Sequence, residues 1–139
     1  MLVLDTNHLR EIALRTPAGI ALMRRLRDAD RDVATTVVSA EEVLRGWLAR
    51  VSSERDVSNQ IAAYAQLASA IAFLAKYPLL PWSAGAAERF KELRGGGVRI
   101  GTMDLKIACT ALEHGATVLS RNAVDFTKVP GLRFENWLD

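Results

Sequence analysis

One cysteine, two histidines, four prolines and 6% aromatic residues leave this 139-residue chain poor in groups that staple, kink or stack. The single Cys109 excludes an internal disulfide framework; it falls at a core-like helical position and suits a reduced, cytoplasmic protein. His8 and His114 lie far apart and Cys109 has no partner, so no zinc site can be spelled from them. No apolar run is long enough for a bilayer. The longest, Ile61 to Ala75, is interrupted by Tyr64, Gln66 and Ser69, so no membrane partner is expected. The N-terminal run Met1-Leu2-Val3-Leu4 is too short for a signal sequence and has no basic segment before it. Gly95-Gly96-Gly97 lacks the lysine of a nucleotide P-loop.

What remains is the composition of one globular domain, residues 1–139. Half the residues are hydrophobic and 24% charged, and the length suffices for one core. The net charge is only +2. Setting aside four acids discussed below, 18 basic residues face 12 acidic ones, and only four of the basic residues are lysines. Arginine suits bidentate phosphate contacts; a GC-rich genome would give the same bias.

Leu2-Val3-Leu4 reads as a strand buried on both faces of a parallel sheet. Helices are expected over roughly 7–14 and 17–29, and a second, β-branched strand over Val33 to Val38. Ser39 then caps a helix to about Arg50, followed by an Ala-rich helical region near 54–76 with a break at Ser58. Pro78 and Pro81 confine Leu79-Leu80 to a short strand near an edge. A helix from Ala84 to Arg94 stops at the glycines. Another, capped by Thr102, stops at Gly115. Thr117-Val118-Leu119 forms a fourth strand and Leu132 to Glu135 a fifth. Alternating strands and helices give an α/β fold, a three-layer α/β/α sandwich around a central parallel sheet.

Ligands of such folds bind beyond the carboxyl ends of the strands. Asp5 directly follows the first strand, where a carboxylate costs folding energy unless that end opens onto a site. Glu42 lies one turn into the helix after the second strand, Asp104 opens the helix before the fourth, and Asp125 lies just past the fourth. Two carboxylates about 4 Å apart repel by roughly 4 kcal/mol at an effective dielectric near 20. Four together call for protonation or a cation, and carboxylate oxygens suit Mg²⁺ or Mn²⁺ and metal-assisted hydrolysis of phosphodiesters.

Each acid also has a plainer reading. Asp5 can be a helix N-cap. Ser39-x-x-Glu42 is a capping box by spacing, which favours capping for Glu42. Asp104 can serve the helix dipole as a first-turn acid, and Asp125 can start a turn. Glu41 reads as a solvated first-turn acid, His8 as a partly exposed helical residue, and Trp47, Trp82 and Trp137 as packing residues. Thr6 and Ser39 fit either helix starts or a shell around a site. Arg94, Arg99 and Arg121 flank the glycine loop and the fourth strand, facing either a nucleic-acid backbone or solvent.

The ordered set of motifs resembles the PIN domains, small metal-dependent nucleases. Leu4-Asp5-Thr6-Asn7 is similar to the family's opening motif. Ser39-Ala40-Glu41-Glu42-Val43-Leu44-Arg45-Gly46 is similar to its second, in which an acid four residues before a glycine aligns Glu42 rather than Glu41. Ile100 to Ala108 resembles the third and Leu119 to Phe126 the last, followed by Val129-Pro130-Gly131-Leu132. The resemblance spans essentially the whole chain and, in size and motif style, looks like a VapC-type toxin of a bacterial toxin–antitoxin pair.

That resemblance implies a Mg²⁺- or Mn²⁺-dependent endoribonuclease with catalytic acids Asp5, Glu42, Asp104 and Asp125. Asp5, Asp104 and Asp125 would hold the metal, with Thr6, Ser39 and Asn122 around it. Family members often carry Asp at the position of Asn122, so this chain has one carboxylate fewer. RNA as substrate, a cognate antitoxin and a homodimer are further implications, with part of Ile61–Ala75 lining the antitoxin or dimer groove. Two other readings stay open: an RNA-processing PIN nuclease without an antitoxin, and a catalytically silent RNA- or partner-binding domain.

Overall fold

Alternation on the first strand divides the core. Val3 packs into one buried cluster with Ala34, Val118, Leu105 and Ile107, while Leu2 and Leu4 pack into another with Leu9, Leu22, Leu26 and Leu74. The computed structural model describes residues 1–139. Its elements are β1 (Leu2–Leu4), α1 (Thr6–Ala13), α2 (Pro17–Ala29), β2 (Val33–Thr36), α3 (Val37–Ser53) and α4 (Gln60–Leu74), then β3 (Leu79–Leu80), α5 (Ala84–Gly95), α6 (Thr102–Glu113), β4 (Thr117–Leu119), α7 (Ala123–Phe126) and β5 (Arg133–Glu135). The five strands form one sheet in the order β3-β2-β1-β4-β5, and every pairing is parallel.

β1 lies at the centre because it is apolar on both faces; all three of its residues are fully buried. α1, α2 and α4 cover one face of the sheet, α5 and α6 the other. The chain leaves β1 towards β2 on one side and returns through β4 on the other. The carboxyl ends of β1 and β4 therefore form the switch point at which an open parallel sheet offers its crevice.

Two expectations from the sequence move. The second strand ends at Thr36, not Val38, because the Thr36 hydroxyl accepts the Ser39 N–H at 3.0 Å and starts α3 three residues early. Gly101, not Thr102, stands before α6, with no side-chain cap. The break expected near Ser58 is an Asx turn in which Asp56 accepts the Ser58 N–H at 2.7 Å. Burial pushes the Cys109 thiol up to about 11, as expected of a packing residue. No helix is long and apolar enough to cross a membrane.

Candidate active site

Asp5 caps α1 with one carboxylate oxygen from the carboxyl end of β1, so capping leaves the other oxygen uncommitted. Its backbone N–H donates to Leu119 O at 3.2 Å, joining the end of β1 to β4. Its Oδ1 accepts the His8 N–H at 2.9 Å and caps α1. The residue is 4% exposed.

Glu42 has left the capping box that its spacing suggested. Thr36 takes the cap, and the Glu42 carboxylate instead accepts the Thr6 hydroxyl at 2.8 Å. That bond spans 36 residues and ties the start of α1 to α3 beside Asp5. Ser39 is fully buried and bonded to Thr36, a support beneath Glu42's helix. Glu41 points outward and pairs with Arg45, as a solvated acid should.

Asp104 and Asp125 are brought together by Asn122. The Asn122 side-chain nitrogen donates to Asp104 Oδ2 at 2.9 Å and to Asp125 Oδ2 at 2.9 Å. α7, a single turn absent from the sequence reading, aims Asp125 inward. Lys128 stands 3.5 Å from the other Asp125 oxygen.

Partial burial raises the Asp104 carboxyl above its ordinary range, and repulsion from Asp5, Glu42 and Asp125 adds to this; the Asn122 bond acts the other way. Asp104 thus feels all three other acids, including those carried by β1 and α3. No three of the acids close to the spacing of a finished metal cage. Even so, an all-oxygen, mutually repelling donor set is the kind that fits a hard divalent cation rather than a soft one.

The three arginines are placed unequally. Arg94 donates to the carbonyls of Val98 at 2.9 Å and Ile100 at 2.7 Å, bracing the loop that leads to Asp104. Arg99 is exposed and bonds the Arg94 carbonyl at 3.0 Å. Arg121 bridges Glu11 and Asp139, each at 3.2 Å.

His8 corrects the sequence reading most. It is fully buried, not partly exposed, and its ring contacts Asp5. The spacing locates only its backbone N–H, at the third position of a helix capped by Asp5; the burial of its ring is a tertiary outcome that local spacing does not carry.

Residues 2–132 match the family model for the PIN domain. The chain belongs to the PIN domain family. A 69-residue stretch of this PIN domain, 47% of the chain, is 35% identical to ribonuclease VapC2 of Rickettsia felis. That stretch spans about half (52%) of the relative's length. In fold, the PIN domain is similar to VapBC2 from Rickettsia felis, solved bound to a DNA fragment from their promoter, at TM-score 0.71 and 24% identity over 98% of both chains. VapBC-1 from nontypeable Haemophilus influenzae superposes at TM-score 0.72 and 18% identity, over 99% of this chain and 98% of that one.

Proposed function

We propose that this PIN domain is a Mg²⁺- or Mn²⁺-dependent endoribonuclease and the toxin of a toxin–antitoxin pair, acting in the cytoplasm. The observation that carries the reading is the gathering of the four acids at one sheet edge: Asn122 bridges Asp104 and Asp125, and Thr6, next to Asp5, bonds Glu42. The partial likeness to ribonuclease VapC2 supports it. In this reading Asp5, Asp104 and Asp125 hold the metal. The Glu42 carboxylate, steadied by the Thr6 hydroxyl, orients the attacking water. Asn122 sets the spacing of Asp104 and Asp125, and Ser39 supports the helix carrying Glu42. A bound divalent ion supplies Lewis acidity to the phosphodiester and its attacking water.

RNA is the proposed substrate. Exposed Arg99 would meet its phosphates, with Arg94 bracing the loop beneath it, and Arg121 would do so by exchanging Glu11 or Asp139 for a phosphate. The proposed antitoxin segment lies in an apolar groove between α1, α3 and α4. Two adjoining recesses there, each of about 340 Å³, are lined by Leu14, Val43, Trp47 and Phe73, with Arg10 and Arg50 at the rim of one. Ala65, Ser69 and Ala70 of α4 line the second recess. Ile61, Tyr64 and Ile71 are exposed on the same helix and suit a homodimer contact.

The test is sequencing of RNA 5′ ends after brief induction of the wild type and of Asp104→Asn. New ends in the wild type that vanish in the variant are expected; no new ends in the wild type would reject the reading.

A further inference from the structure

We propose that His8 is the positioning residue of Asp5, and that the C-terminal residues fix the ring that does the positioning. The inference rests on the metal-binding reading of Asp5 given above. The backbone N–H of Trp137 points at His8 Nε2 from 3.4 Å. A backbone N–H can only donate, so Nε2 is the accepting nitrogen and the ring proton sits on Nδ1. Nδ1 lies 3.0 Å from Asp5 Oδ1 and donates to it.

Oδ1 therefore receives two hydrogen bonds from one residue, the backbone N–H and the ring N–H of His8. No fully buried side-chain oxygen in the protein lacks a partner. Oδ2, which bonds to no other protein group, is thus not sealed off and stays reachable from solvent. Asp5 presents one oxygen to a cation in a fixed direction. Histidine usually ligates a metal with a carboxylate behind it; here the histidine stands behind the carboxylate.

The wiring continues to the end of the chain. Arg25 stacks on the Trp137 ring at 4.1 Å, the Trp137 indole donates to Glu135 at 2.7 Å, and Asp139 pairs with Arg121. The backbone that sets the histidine tautomer is thereby held from both sides. His8 is wholly buried, so no solvent competes for either ring nitrogen.

The test is Mn²⁺ binding to the purified full chain, with kcat and KM for RNA cleavage alongside, for wild type, His8→Phe and His8→Asn. Asparagine places an amide N–H where Nδ1 stands; phenylalanine has no donor. His8→Phe is expected to weaken Mn²⁺ binding roughly 10- to 100-fold and to lower kcat more than it changes KM. His8→Asn is expected to restore most of that affinity. Should His8→Phe fail to fold in chelator, His8→Gln replaces it, since its amide reaches the Nε2 side and not Asp5. Wild-type Mn²⁺ affinity in His8→Phe, or equal loss in His8→Asn, overturns the positioning role alone. A wild type that binds no Mn²⁺ overturns this inference and the proposed function together.

Discussion

Asn122 reaches Asp104 at 2.9 Å, and the same nitrogen reaches Asp125 at 2.9 Å. Each amide hydrogen serves a different carboxylate, so one neutral side chain holds two acids at a set spacing. An aspartate at this position would bring no hydrogens and one more charge. Asn122→Asp is expected to lower stability in chelator by about 1–3 kcal/mol, the cost of leaving charged acceptors without a partner. Added Mn²⁺ should raise its melting temperature by more than it raises that of the wild type. Thermal melts with EDTA and with Mn²⁺ check both statements.

Asp104 should limit stability while serving the site. Burial and its acidic neighbours raise its carboxyl above the ordinary range, so the folded state binds the proton more tightly than the unfolded chain. Its favourable contribution is complete below the ordinary carboxylate pKa and is lost as pH rises through the raised folded value. In chelator at pH 7, Asp104→Asn should therefore melt higher than wild type, and the gap should close as pH falls through the carboxylate range. The same variant should lose RNA cleavage. A lower melting temperature at pH 7 would contradict the repulsion.

Leu14 is 61% exposed at the mouth of the apolar groove. Leu14→Glu puts a charge among Val43, Trp47 and Phe73. Antitoxin affinity should fall by about 2 kcal/mol or more, as at a buried hot spot, while Mn²⁺-dependent cleavage by the free protein stays at the wild-type rate. Calorimetry with the cognate antitoxin reads the first effect and a cleavage assay the second.

Arg15 follows α1 with φ of 51°, a left-handed conformation that favours glycine. Its strain is local, since its N–H closes the helix onto the Ile12 carbonyl. Arg15→Gly relieves the Cβ clash, and after glycine's greater chain entropy is subtracted should stabilise the protein by about 0.5–1 kcal/mol. Urea denaturation checks the sign; unchanged or lower stability would refute it.

The sheet was legible because its strands are short, apolar and separated by capped helices. Leu2–Leu4 and Thr117–Leu119 carry nearly all of that signal, and both stand where their patterns put them. Boundaries failed where two caps compete. Ser39 fits a capping box by spacing, yet Thr36 at the end of β2 captures the Ser39 N–H. Glu42 bonds instead to Thr6, a partner 36 residues away. α7 is too short to show a period, and His8 looked exposed because its burial depends on a chain end 129 residues away. Local spacing carries none of these tertiary contacts.

Asp5, Glu42, Asp104 and Asp125 are proposed to act together as one divalent-metal site for RNA cleavage. The most direct measurement is cleavage of a structured RNA by purified wild type and Asp5→Asn, each with Mn²⁺ and with EDTA. Wild-type cleavage is expected in Mn²⁺, none in EDTA, and a loss on the order of a hundredfold or more in Asp5→Asn. Undiminished cleavage by Asp5→Asn, or by the wild type in EDTA, would contradict that role.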